Sequence, residues 1–375
     1  MRFFQFLCMA GVLLLCSCGT GKFFPPVNDG GGGGNTNSGN YIYVANSSTA
    51  VSSVAGFSIA NNALNNLANS PYQTGLPPNV LAVTPKDTFL YVGSISGGVY
   101  VYTINSDGTL TLGNNSSPVL TGISPLAMRI DPTGQWLLIA DASPSITVFA
   151  INASTGALTT QGNPLALDVG TPSSVFVTPN NQFVFVSLGT GGVDILTFNS
   201  TSGVITKLNQ ILNPKNTNNA DFGLASDPGS KYLFVTETGI NSVRVLNINT
   251  TGSSTLTELA TSPVQTGLGP TQVIVEASGS YLYVTNRTDG TVSGFVLAAN
   301  GALTPLSGSP YTTGSAPVDM VEDKTGKYIA VACVGGNPDL QVFSIDTTTP
   351  GKLDAFASKT TGTDPTLASA IAGTH

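Results

Sequence analysis

Few side chains in this sequence can do chemistry. There is one histidine, His375, and it is the last residue, a place where a chain is expected to fray. Four cysteines occur, at Cys8, Cys16, Cys18 and Cys333. No Cys/His cluster with metal-ligand spacing exists, and the aspartates are scattered with no Asp-x-Asp-x-Asp loop, so no metal and no cofactor is expected. The run Gly30 to Gly34 follows no strand and opens no helix, so it is not a phosphate cradle. Cys333 ends the strand-like run Tyr328-Ile329-Ala330-Val331-Ala332-Cys333 with no histidine placed to activate it, which predicts a buried, inert thiol. What remains is carboxylates and guanidinium groups. Glu237 stands in Val235-Thr236-Glu237-Thr238 and Arg287 in Asn286-Arg287-Thr288-Asp289. Facing one pocket, such a pair has the types needed for a base and an anion clamp. Arg129 interrupts the apolar run Leu126-Ala127-Met128-Arg129-Ile130 and must find a partner if buried; a bond to a neighbouring structural unit is expected, with a ligand contact the other use.

The elements that must position these groups repeat. Runs of the type aromatic-apolar-aromatic-Val begin at Tyr41, Phe89, Trp136, Phe183, Tyr232, Tyr281 and Tyr328, at gaps of 48, 47, 47, 49, 49 and 47 residues. A period that constant signals a repeat architecture. Around each run lie three others. A run usually led by proline precedes it, as in Pro78 to Val83, Pro125 to Ile130 and Pro270 to Val275. A third run follows, as in Val54 to Ile59 and Thr291 to Val296, and then a weaker fourth, as in Ala302 to Leu306, whose proline suits a sheet edge. The runs alternate with period two, and Gly, Asn, Asp and Pro fill the connections. Seven four-stranded units predict an all-β, seven-bladed β-propeller over residues 40–375. The chain enters on a second-type strand, Tyr41 to Val44, and leaves on a first-type strand, Pro365 to Ala370, so the last strand is expected to complete the first blade and close the ring. In that geometry the second-to-third connections share a face with the fourth-to-first connections. Asn46, Asp141, Asp221, Glu237, Asn286, Arg287 and Asp319 all approach this face, giving a polar, acidic channel mouth with one arginine. The loop Asn213 to Asn219 is enlarged and polar.

Charged residues are only 9% of the chain, yet 41% is hydrophobic, which argues for a folded β protein and not for disorder. A net charge of −7 and a pI near 4.5 leave no basic stripe for nucleic acid. The first residues read as a targeting segment. Arg2 is followed by a thirteen-residue apolar run, Phe3 to Leu15, broken only by Gln5 and shorter than the ~20 residues needed to span a bilayer. Leu15-Cys16-Ser17-Cys18 resembles a bacterial lipobox, with Cys18 the thiol that takes a diacylglycerol. Residues 1–17 are therefore expected to be a lipoprotein signal, and 18–39 a lipidated cysteine with a flexible glycine-rich tether. Gly19 in place of Asp points to the outer membrane. The expectation is a monomer at the cell envelope, joined to the membrane through Cys18.

The cycle Pro-x-x-Val-x-Val-x-Pro, Tyr-Leu-Tyr-Val, Val-x-x-Phe-x-Ile, Gly-x-Leu, with the tetrapeptide Tyr283-Val284-Thr285-Asn286, resembles the bacterial lactonase propellers. These include 6-phosphogluconolactonase and carboxymuconate-cyclase relatives and the Tyr-Val-Thr-Asn repeat proteins. The resemblance covers residues 40–375 and rests mainly on structural positions. It implies a lactone-hydrolysing site of Arg, His and Glu at one channel mouth, with Glu237 as base and Arg287 as clamp. In the family an Asn-Arg-Gly-His stretch occupies the place of Asn286-Arg287-Thr288-Asp289, so the arginine is kept and the histidine is not. A Pro-Arg-His stretch is replaced by Asn219-Ala220-Asp221-Phe222, and a later Pro-Arg by Pro317-Val318. Two uses stay open: a hydrolase of sugar lactones, or a propeller that binds a glycan, small molecule or protein without catalysis.

Overall fold

The structure, a computed structural model, describes residues 39–47, 52–215, 221–251, 254–361 and 368–375. Seven antiparallel sheets are arranged in a ring, each with the strand order inner, second, third, outer. The inner and second strands are Ala368–Gly373 and Tyr41–Asn46 in blade 1, Val80–Val83 and Phe89–Ser94 in blade 2, and Pro125–Ile130 and Trp136–Asp141 in blade 3. They are Ser174–Val177 and Phe183–Ser187 in blade 4, and Asp221–Ser226 and Tyr232–Glu237 in blade 5. Pro270–Val275 and Tyr281–Asn286 belong to blade 6, Pro317–Glu322 and Tyr328–Cys333 to blade 7. In blades 1, 2, 5 and 6 a short further strand also pairs with the third strand, so the blade edge is made of two pieces. The seven-bladed propeller expected from the repeat is the fold.

The aromatic period has a packing cause. The aromatics Tyr41, Phe89, Trp136, Tyr232 and Tyr281 that open second strands lie against the outer hairpin of the next blade. A Cβ on Gly108 would stand 2.4 Å from the Tyr41 ring, and one on Gly351 would stand 2.4 Å from Tyr281. Both glycines also have positive φ, +81° and +84°. The third residue of the strand makes a second tie. Tyr43 donates its hydroxyl hydrogen to the Gly108 carbonyl (2.7 Å), Tyr91 to Gly156 (2.8 Å) and Tyr283 to Gly351 (2.7 Å). Each ring is fully buried, and each hydroxyl is satisfied by the neighbouring blade. A second device sits at the turn from inner to second strand. One carboxylate there accepts three backbone N–H bonds: Asp131 from Thr133, Gln135 and Trp136; Glu276 from Ser278, Ser280 and Tyr281; Asp323 from Thr325, Lys327 and Tyr328.

Ring closure follows the expected scheme, displaced slightly along the chain. Ala368–Gly373 pairs antiparallel with Tyr41–Asn46, with Ile42 opposite Gly373 and Val44 opposite Ile371. Residues 365–367 of the predicted strand lie outside the described residues. At the seam Thr374 accepts the Tyr41 N–H at 2.9 Å. The C-terminus does not fray as expected. The His375 N–H donates to Asp87 Oδ1 (2.8 Å), and Lys324 Nζ pairs with Asp87 Oδ2 (2.6 Å), which joins blades 1, 2 and 7. Residues 1–38, including Cys18, lie outside the described residues, and no described helix is long and apolar enough to cross a membrane. Gly39 and Asn40 sit on the face of the first-to-second turns, where Asn40 Nδ2 donates to Asp323.

Candidate functional site

The opposite face carries the mouth. Inner strands reach it at their N-terminal ends, where the ladder is bulged: the register shifts between Asp221 and Leu224, between Pro270 and Val273, and between Pro317 and Asp319. Buried hydroxyls at the fifth position of three second strands hold the mouth ends of inner strands. Thr236 accepts the Gly223 N–H and donates to the Thr271 carbonyl of the next blade (2.8 and 2.9 Å). Thr285 accepts the Gln272 N–H at 2.9 Å, and Ser187 donates to the Phe222 carbonyl at 2.7 Å. The result is a pocket of about 160 Å³ walled by Ser173, Ser174, Phe222, Gly223, Thr271, Gln272 and Val318, with Arg287 at its edge. Among the described residues Arg287 is the only charged side chain lining it. Its backbone N–H is fixed to the Gly269 carbonyl at 2.8 Å, while the side chain is exposed.

Glu237 does not share that pocket. It is fully buried, and Arg244 of the adjacent third strand pairs with its Oε1 at 2.8 Å. The Lys215 N–H also donates to the same carboxylate at 3.1 Å. Arg244 extends the network to the Asn213 carbonyl (2.8 Å) and to Glu258 (3.0 Å), which Lys215 Nζ (2.7 Å) and Ser262 (2.7 Å) complete. Burial alone would raise the Glu258 pKa, but its bonds to Arg244, Lys215 and Ser262 win and hold it below the usual range. Burial would likewise lower Arg244, and Glu258 and Glu237 outweigh it and raise it. This network clamps the first part of the enlarged loop, of which 216–220 lie outside the described residues.

The other expected mouth residues stand at or near strand ends on the mouth face without lining that pocket. Asn46 is fully buried, with no hydrogen-bond partner for either amide atom among the described residues. Asp141 holds its own loops, accepting the Ser124 and Ser143 N–H groups at 2.9 and 3.0 Å. Asn286 is buried and donates to Thr291 and Ser293, both at 2.9 Å. Asp221 stands opposite Glu237 in the ladder. Asp319 is half-buried below the pocket, where it accepts Gln272 Nε2 (3.0 Å), the Met320 N–H (2.9 Å) and the Ile371 N–H (3.0 Å). Burial raises its pKa, against the pull of those donors and of the Arg129 charge. Cys333 is buried as expected, its thiol pushed up to about 11 by burial. The sequence reading missed Arg244 and the hydroxyl row. A charge inside the alternating run Val243-Arg244-Val245 was the available signal for the first.

The lactonase seven-bladed β-propeller family model matches residues 98–177 and 170–369. The chain belongs to that family. Among solved structures this lactonase-type propeller is similar to the periplasmic gluconolactonase of Pseudomonas aeruginosa, at 17% identity and a TM-score of 0.70 over 90% of this chain and 99% of that one. It is similar to a provisionally assigned 6-phosphogluconolactonase of Bacteroides uniformis, at 16% identity and a TM-score of 0.72 over 89% and 99%. A Lactobacillus plantarum protein shares 20% identity and a TM-score of 0.70 over 90% and 99%. At such identities the likeness is one of fold. No curated protein matches the sequence.

Proposed function

We propose that this lactonase-type propeller binds a small sugar lactone or its acid at the mouth through Arg287, without turning it over. One observation carries the reading. The pocket offers a single guanidinium amid hydroxyls and amides, while Glu237, the carboxylate best matched to a base, is engaged by Arg244. An unpaired guanidinium suits a carboxylate or a polarised carbonyl oxygen. Water activation needs a base within hydrogen-bond reach, and none of the described residues lining the pocket is one. The Pseudomonas aeruginosa relative, a gluconolactonase by name, supports the ligand class. Family membership and the retained Arg287 favour hydrolysis as the second reading.

Calorimetric titration with gluconate, beside a hydrolysis panel of aldonolactones, separates the two. Binding that Arg287→Ala weakens tenfold or more, with hydrolysis at the buffer rate, is expected. Turnover that both Arg287→Ala and Glu237→Gln abolish, in variants that melt as folded proteins, would establish the hydrolase instead. We also infer that residues 1–17 direct export and that lipid on Cys18 anchors the protein at the outer membrane, as a monomer. Gly39 begins on the face opposite the mouth, so a tether there leaves the pocket clear. Labelling with an alkyne fatty acid checks this: Cys18→Ala should lose the label and leave the membrane fraction.

A further inference from the structure

At one level of the ring the inner strands carry apolar side chains, most of them packed between blades. The inner-strand residues opposite the third position of each second strand are Ala372, Ala82, Arg129, Phe176, Ala225, Ile274 and Val321. Six are hydrocarbon, three of them alanine, and the seventh is an arginine. Arg129 stands on an inner strand and is exposed there. Its guanidinium lies over the Phe176 ring of the next blade, 5.4 Å from the centroid. That contact satisfies one face of the cation and none of its five N–H donors. Among the described residues the Arg129 guanidinium makes no hydrogen bond and no ion pair. Asp319, two residues nearer the mouth on its own strand, attracts it at a distance, but its carboxylate already takes Gln272, Met320 and Ile371.

An exposed guanidinium whose donors meet no protein acceptor is left to water, and an anion that replaces that water gains charge-assisted hydrogen bonds. We propose that Arg129 forms a second anion site inside the channel, below the mouth pocket and separate from Arg287, for a small oxyanion or halide. The planar fork would take two oxygens side by side, with Phe176 fixing the guanidinium plane. This site stands whether or not the mouth binds a lactone or acid.

Inorganic phosphate and bromide are the probes. In the full-length Arg287→Gln protein, phosphate should still bind by calorimetry, and adding Arg129→Gln should weaken it at least tenfold, with Arg129→Lys intermediate. Crystals soaked in sodium bromide should show an anomalous peak in hydrogen-bond contact with Arg129. Phosphate binding unchanged by Arg129→Gln would overturn the proposal, as would bromide peaks only elsewhere. A peak at Arg129 with no binding in solution is an adventitious ion only and overturns it too. Should Arg129→Gln fail to fold, the Arg129→Lys titration and the bromide peak in the unaltered protein still decide.

Discussion

Blades 5 and 6 present the same stretch in two chemical states. Tyr232–Glu237 and Tyr281–Asn286 occupy equivalent places, and each turns into its third strand at the mouth face. In blade 5 the last residue is a carboxylate drawn inward to Arg244, with Glu258 and Lys215 beyond it. In blade 6 the corresponding third-strand residue is Ser293, and Asn286 Nδ2 donates to its hydroxyl and that of Thr291, while Asn286 Oδ1 is buried with no hydrogen-bond partner among the described residues. The charge in blade 6 comes one residue later, on Arg287, and points out. The residue at a strand end thus sets the height of a functional group, while the facing third strand decides whether it is spent on the fold or left for a ligand.

Removing the partner should break the contrast most severely. Arg244→Ala leaves Glu237 buried and uncompensated, and a loss of about 3–5 kcal/mol is expected from chemical denaturation. The pH dependence sharpens it next. Glu258 has a folded pKa below its unfolded value, so its contribution is present above the unfolded carboxylate range near pH 4.3 and is lost as pH falls through the folded value. Melting curves from pH 7 to pH 3 should therefore decline less steeply for Glu258→Gln than for the parent. Asn286→Ala removes two side-chain hydrogen bonds and should cost about 1–2 kcal/mol in the same unfolding assay. Arg287→Ala should change stability by less than about 0.5 kcal/mol while removing ligand affinity. A large stability loss there would erase the distinction between the blades.

Most of the fold could be read from the sequence because packing repeats it. An aromatic near the start of a second strand needs a glycine in the next blade's hairpin, so the Tyr41–Gly108 and Tyr281–Gly351 contacts appear as a period. Closure could be read because a strand type was missing at one end and spare at the other. The site was only half legible. Spacing gave the heights of Glu237, Asn286 and Arg287 but not the direction of their side chains. The capture of Glu237 depends on Arg244, a single charge in an otherwise apolar run with no counterpart in blade 6, so no periodic reasoning could find it. His375 was misjudged for a related reason: its anchor, Asp87, lies 288 residues away in another blade.

The seam also sets the order in which the molecule can come into being. Tyr41 and Thr374 are 333 residues apart in sequence yet hydrogen-bonded in the finished ring. A chain made from its N-terminus displays Tyr41–Asn46 long before its inner neighbour Ala368–Gly373. Until then blade 1 lacks its innermost strand, and the growing protein is an arc with two open ends. Contacts this distant are slow to form, because a long loop must close before they hold. The completed ring therefore waits on its most distant contact, and until that forms blade 1 stays open at its inner edge.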